Sequence, residues 1–120
     1  MPDNTISLDV AIQMTTLYRK QKENILAEPF KGENILPISE TFDRSAFDSL
    51  LKEADCTAIR IYYGMSDDLQ IHAIAVGVNS KNEDILPVGA GEQVSDSPPV
   101  IVEEGTRCPD YCPPSSPLYP

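Results

Sequence analysis

Apolar residues recur along this chain with two different periods. Val10, Met14, Leu17, Tyr18 and Ile25 fall near one helical stripe, with Arg19, Lys20 and Lys22 on the outer side. That spacing predicts a first helix from an N-cap at Ser7 to about Leu26, its stripe packed into a core. Lys and Arg late in it suit the negative end of the helix dipole. Glu28-Pro29 ends it, since a residue before proline avoids the helical region. Residues 30–41 read as a connector punctuated by Gly32, Asn34 and Pro37, with a short extended piece at Asn34-Ile35-Leu36. Asp43 then caps a second helix, Arg44 to Ala54, whose buried stripe is Phe47, Leu50, Leu51 and Ala54. Burying each of its three large residues is worth roughly 1.5–3 kcal/mol before entropy.

From Cys56 to Val78 the period changes to two. CTAIRIYYGMSDDLQIHAIAVGV is dense in β-branched and aromatic residues around a polar break, the pattern of a β-hairpin turning at Gly64 to Asp68. Gathering the large residues on one face sets Ile61 opposite His72 and Ile59 opposite Ile74. This register predicts a main core face of Ile59, Ile61, Tyr63, His72, Ile74, Val76 and Val78. The other face, with Ala58, Arg60, Tyr62, Ile71, Ala73, Ala75 and Gly77, is then shallow and partly polar. On this reading Ile61→Asp or Ile74→Asp prevents folding, whereas Arg60→Ala is mild.

Past Val78 the residues Asn79 to Asp84 read as a polar turn, and Ile85-Leu86-Pro87-Val88 as an apolar piece that proline confines to an edge or loop. Gly89 to Pro99 reads as a flexible acidic loop. Pro99 to Glu104 is the last strand candidate, expected to pair with the hairpin. From Gly105 onward no periodicity survives, and CPDYCPPSSPLYP is expected to be an extended or polyproline-type tail. The fold class expected is α+β: two N-terminal helices packed on an antiparallel sheet of three or four strands, with a Pro-rich C-terminal tail. A single domain spans 1–105 and the tail 106–120.

Composition narrows the function classes. The 120 residues suffice for one domain with its own core. A formal net charge of −10 and a pI near 4.3 argue against nucleic acid and anionic membrane surfaces, which need clustered Lys and Arg, and leave room for a basic protein partner. No signal peptide or spanning segment is seen. Three cysteines without an export signal suggest reduced thiols and a cytoplasmic location.

Three blocks carry a resemblance: ENILPISETFDRSAFDSLL, then RIYYGM with the HAIAVGV strand, then EEGTRCPDYCPPSSPL. In these the chain resembles a family of small bacterial proteins that shares the RIYYGM hairpin block and the cysteine–proline ending. The resemblance implies that the blocks go together. It brings no activity, cofactor or catalytic residue with it.

Candidate chemistry is sparse. Cys108 and Cys112, spaced C-x-x-x-C, approach a metal-ligand or disulfide pair. The further ligands on offer are Cys56, His72, or carboxylates such as Glu103 and Asp110. The expected register puts Cys56 beside Gly77, roughly 16 Å along the strand from His72, so one ion cannot take all four N and S groups. The reading favoured is two unbonded thiols, no metal and no cofactor, with Cys56 a small core residue. His72, the single histidine, sits beside the turn with Asp67 and Asp68 not far in sequence, but no nucleophile stands beside it; a solvated or structural role is expected, and no catalytic residue is assigned. Gly89-Ala90-Gly91 lacks the Lys-Ser/Thr and following helix of a phosphate loop. Arg60 and Tyr62 offer a charged and aromatic anchor for a partner, although pairing of Arg60 with one of the many nearby carboxylates is the reading favoured. Tyr111, Leu118 and Tyr119 give the tail apolar anchors, with Tyr111 expected to insert. The function expected is a non-enzymatic binding or accessory protein acting through protein–protein contacts, homo-oligomerisation included. The alternative is a thiol-based metal-binding or redox protein using Cys108 and Cys112.

Overall fold

The computed structural model describes residues 4–87 and 99–120. Its element order is α1 (Leu8–Gln21), a 3-10 turn (Glu28–Phe30), β1 (Ser39–Thr41), α2 (Arg44–Leu51), β2 (Cys56–Met65), β3 (Ile71–Asn79), β4 (Asp84–Ile85) and β5 (Thr106–Cys108). The fold is α+β, with a three-stranded antiparallel sheet ordered β2-β3-β4 and a two-stranded antiparallel sheet of β1 and β5. The expected acidic loop from Gly89 and the Gly89-Ala90-Gly91 stretch lie almost wholly outside the described residues.

Both helices start where their caps predict. Ser7 accepts a hydrogen bond from the Val10 N–H, and Asp43 holds the N-cap position of α2 with extended backbone angles. Both stop earlier than the apolar period alone predicts. In α1 the Asn24 side-chain amide takes the Lys20 carbonyl that a continued helix would have used. Past α2, Asp55 turns the chain with φ 61°. Leu50 is fully buried at the centre of a core with Ala75 and Val102, against which Phe42, Ala46, Phe47, Ile59 and Val100 pack. Leu51, expected on the buried stripe, is exposed. Helix α1 contributes no buried residue at all, and its expected core stripe of Val10, Met14 and Leu17 faces solvent, as does Ile25 beyond its end.

The hairpin forms, in a different register. Gly64 pairs with His72, Tyr62 with Ile74, Ile61 with Ala75 and Ile59 with Gly77, a slip from the expected Ile61–His72 pairing. Gly64 is not part of the turn: it lies in β2, where an added Cβ would come within 2.7 Å of the Ile74 Cδ1. The chain reverses later, through a Ser66 to Gln70 loop in which Leu69 takes the left-handed conformation, φ 67°. As a result, large residues of β2 oppose small ones of β3. Ile59, Ile61 and Tyr63 share a face with Ala73, Ala75 and Gly77, while Arg60 and Tyr62 share one with His72, Ile74, Val76 and Val78. Ile61 is 40 % exposed, so an aspartate there meets water rather than a core, and the expected folding failure of Ile61→Asp does not follow.

The last strand candidate reduces to one bridge, Val102 to Ala75, closed by two backbone hydrogen bonds of 2.8 Å. Ile85 takes the expected edge position, in β4 beside Gly77. Residues after Gly105 are less irregular than expected: Thr106–Cys108 forms β5, paired with β1 so that Glu40 lies opposite Arg107.

Candidate functional site

The pairing of β1 with β5 brings three separate stretches of chain to the start of β3. Arg107, on β5, donates to the backbone carbonyls of Ile71 (3.1 Å), Asn34 (2.7 Å) and Ile35 (3.2 Å). It thereby ties the connector to the first residue of β3, and the Ile71 N–H returns a bond to the Ile35 carbonyl. On β1, Glu40 accepts the Ala73 N–H through Oε1 at 2.9 Å. Glu103 follows Val102, whose bridge to Ala75 fixes the chain beside β3. Gly105 lets these strands close up: a Cβ there would stand 2.7 Å from the Glu40 Cγ and 2.8 Å from the Phe42 ring.

Between the two carboxylates sits His72. Its Nδ1 lies 3.8 Å from Glu40 Oε2 and 3.7 Å from Glu103 Oε1, and one ligand atom from each of the three residues falls within 4.8 Å of the others. Those spacings exceed the 2.7–3.2 Å typical of an N–H···O hydrogen bond. The Glu40 side chain is only 7 % exposed, and neither its Oε2 nor His72 Nδ1, both buried, has a hydrogen-bond partner. A buried polar atom left without a partner costs about 1–3 kcal/mol. Glu103 is more open, and its Oε1 also accepts the Glu104 N–H. Glu40 and His72 line a cavity of about 500 Å³ together with Tyr18, Leu36, Ile38 and Tyr63. The Tyr18 hydroxyl donates to the Pro37 carbonyl at 2.6 Å, and burial raises its pKa while the Arg107 charge pulls the other way.

Glu53 Oε1 is also buried without a hydrogen-bond partner, but its other oxygen takes the Val100 N–H at 2.8 Å. Although Cys56 Sγ flanks the same side of Gly77, Glu53 belongs to no group of three potential ligands among the described residues.

The residues singled out from sequence land in three places. Arg60 and Tyr62 converge on Asp84 of β4, one on each carboxylate oxygen, and Arg60 also donates to Asn82. The Tyr62 hydroxyl first, then Arg60, holds the Asp84 carboxyl below its ordinary value. Arg60 is thus occupied by a carboxylate, and no shallow surface of small residues surrounds it. Cys108 and Cys112 are joined in a disulfide with Cα atoms 4.6 Å apart, contrary to the expected pair of free thiols; Cys56 is the free cysteine. Their sulfurs are taken by each other, so they offer no thiolates to a metal. Cys56 pairs with Asn79 in the backbone register, while its Sγ lies beside Gly77, 3.2 Å from where a Cβ there would stand. Tyr111, expected to insert, is 64 % exposed. Tyr111, Leu118 and Tyr119 nevertheless line a cavity of about 550 Å³ with Thr15, Tyr18 and Arg19 of α1, and Arg19 donates to the Leu118 carbonyl.

His72 was legible as a lone histidine and Glu103 as a spare carboxylate. Glu40, Gly105 and Arg107 carried no signal, because only strand pairing gives them a role. Asp67 and Asp68, the expected neighbours of His72, lie in the hairpin loop, where Ser66 is the main group holding the Asp68 carboxyl low. No helix of the described residues is long and apolar enough to cross a membrane. No protein family, curated protein or solved structure matches the chain.

Proposed function

We propose that the chain is a non-enzymatic binding protein acting through protein contacts, with the apolar face of α1 and the adjoining tail as its contact surface. The observation that carries this is the contrast between the two helices. Met14 and Leu17 on α1 are 62 % and 60 % exposed, while Leu50 on α2 is fully buried. An isolated helix shorter than about 12–15 residues is marginal in water and draws its stability from a covered apolar face. At 14 residues, α1 has the period of such a face, and among the described residues none of its positions is buried. Tyr111, Leu118 and Tyr119 extend the surface from the tail side, and the partner-binding role expected for them joins that of α1. Arg60 and Tyr62, engaged with Asp84, stand apart from it. The acidic balance of the chain favours a partner with basic flanks.

A cytoplasmic setting belongs to the same proposal; there the Cys108–Cys112 bond exchanges with the thiol pool. The thiol-based alternative would use that exchange, and counting thiols in the denatured, unreduced protein distinguishes a bonded pair from free ones. The binding reading itself is tested with Met14→Glu combined with Leu17→Glu, two exposed changes that leave the core untouched. Size in solution and proteins retained from native extract are compared with the unaltered chain. Loss of a self-associated species, or of a retained protein, supports the proposal. A wild-type monomer whose retained proteins are the same as those of the double variant removes it.

A further inference from the structure

Glu40, His72 and Glu103 are arranged as a mononuclear metal site, and we propose that they bind one first-row divalent transition-metal ion, of which zinc is the convenient probe. This site is independent of the α1 surface and of the cysteines.

The argument starts from spacing. Ligand atoms about 2.0–2.2 Å from a common ion lie about 2.8–3.6 Å from one another in octahedral or tetrahedral geometry. The observed Nδ1 to carboxylate separations of 3.7 and 3.8 Å are too long for a shared proton. The three ligand atoms, all within 4.8 Å of one another, draw together around an ion by as much as roughly 1–2 Å in the widest pair, a movement open to the partly exposed Glu103 side chain. Burial gives the second, independent observation. Glu40 Oε2 belongs to a side chain 93 % withdrawn from solvent, has no hydrogen-bond partner and points at an imidazole nitrogen in the same condition. A cation placed among them satisfies both atoms at once. The alternative occupant, a proton on His72, leaves both contacts beyond hydrogen-bond length.

The support around the ligands fits the same role. The Ala73 N–H holds Glu40 Oε1 and so aims Oε2, and the Glu104 N–H orients the Glu103 carboxylate. Glu104 itself is held in the left-handed region, φ 67°, just beyond the ligand. One imidazole nitrogen with carboxylate oxygens and no thiolate is a donor set for zinc, manganese or ferrous iron; magnesium and calcium take oxygen ligands. Three protein ligands leave further positions to water or to a molecule entering the apolar cavity that Glu40 and His72 line.

The single histidine makes the test direct, because its ring protons report on this site alone. Zinc is added to the full-length, disulfide-bonded protein, followed by calorimetry and by nuclear magnetic resonance of the imidazole. One ion per chain is expected, with the ring signals shifting in step with the heat and Mg²⁺ leaving them in place. Glu40→Gln and Glu103→Gln are each expected to weaken binding by about tenfold or more. Cys56→Ser should change nothing. Glu103 is 41 % exposed, so its variant folds whatever the buried change at Glu40 does. Ring signals unmoved by excess zinc, affinity undiminished in Glu103→Gln, or binding abolished by Cys56→Ser would each overturn the site.

Discussion

Near the β4 end of β3, the Asp84 carboxylate meets Arg60 and Tyr62, and each of its oxygens is taken. At the other end of the same strand, roughly 20 Å away, Glu40 and His72 face each other with a buried atom apiece left open. Both clusters set a carboxylate among residues drawn together by strand pairing. The first is closed by a cation and a donor from its own chain, as expected of a group that holds a structure together. The second leaves one oxygen of Glu40 and the Nδ1 of His72 buried without a hydrogen-bond partner, an arrangement that costs stability. An unmet polar atom is therefore informative here in a way that an ion pair is not.

The strongest way to break this contrast is through Gly105. Gly105→Ala drives a methyl into the Glu40 Cγ and the Phe42 ring, so we expect a loss of about 1–3 kcal/mol in chemical denaturation, together with weakened zinc binding. Unchanged stability would mean that the β1–β5 pair is looser than it stands. Next comes Glu40→Gln without metal. The amide keeps an acceptor for the Ala73 N–H and offers His72 Nδ1 a donor, so stability should rise by about 1 kcal/mol. A lower unfolding midpoint would show that the carboxylate is already satisfied.

The equivalent change at the closed cluster should have the opposite sign. Asp84→Asn lowers the midpoint at neutral pH, by less, because solvent reaches the pair. The folded-state pKa of Asp84 lies below its ordinary 3.8, so its contribution is complete above that value and fades as pH falls through the depressed one. Melts of wild type and variant should therefore converge in strong acid; a gap independent of pH would contradict the assignment. The Tyr62 pKa is raised, first by its bond to Asp84, so its share is lost in alkali as pH rises through the raised value. Smallest of all is Tyr62→Phe, which leaves Arg60 on the carboxylate. It should lessen the acid dependence without abolishing it.

Local chemistry determined a good deal from sequence alone. Ser7 marks the start of α1 with its hydroxyl, Asp43 holds the N-cap of α2 through its extended backbone without a side-chain bond, and alternation over 56–78 gives a hairpin. That Arg60 would be held by a carboxylate was also legible, in a chain with 19 acidic residues against 9 basic ones. Which carboxylate was not, since β4 had to fold back along β3 to present Asp84. The register was misread for a related reason. Glycine beside Ser66, Asp67 and Asp68 suggests a turn, yet Gly64 is in a strand with Ile74 packed over it, and Leu69 takes the left-handed position instead. The stripe on α1 shows only that a face is apolar, because periodicity cannot say what covers it. The Glu40, His72 and Glu103 cluster left no trace in spacing. Its members meet through the β1–β5 pairing and the Val102–Ala75 bridge, long-range hydrogen bonds that no local preference encodes.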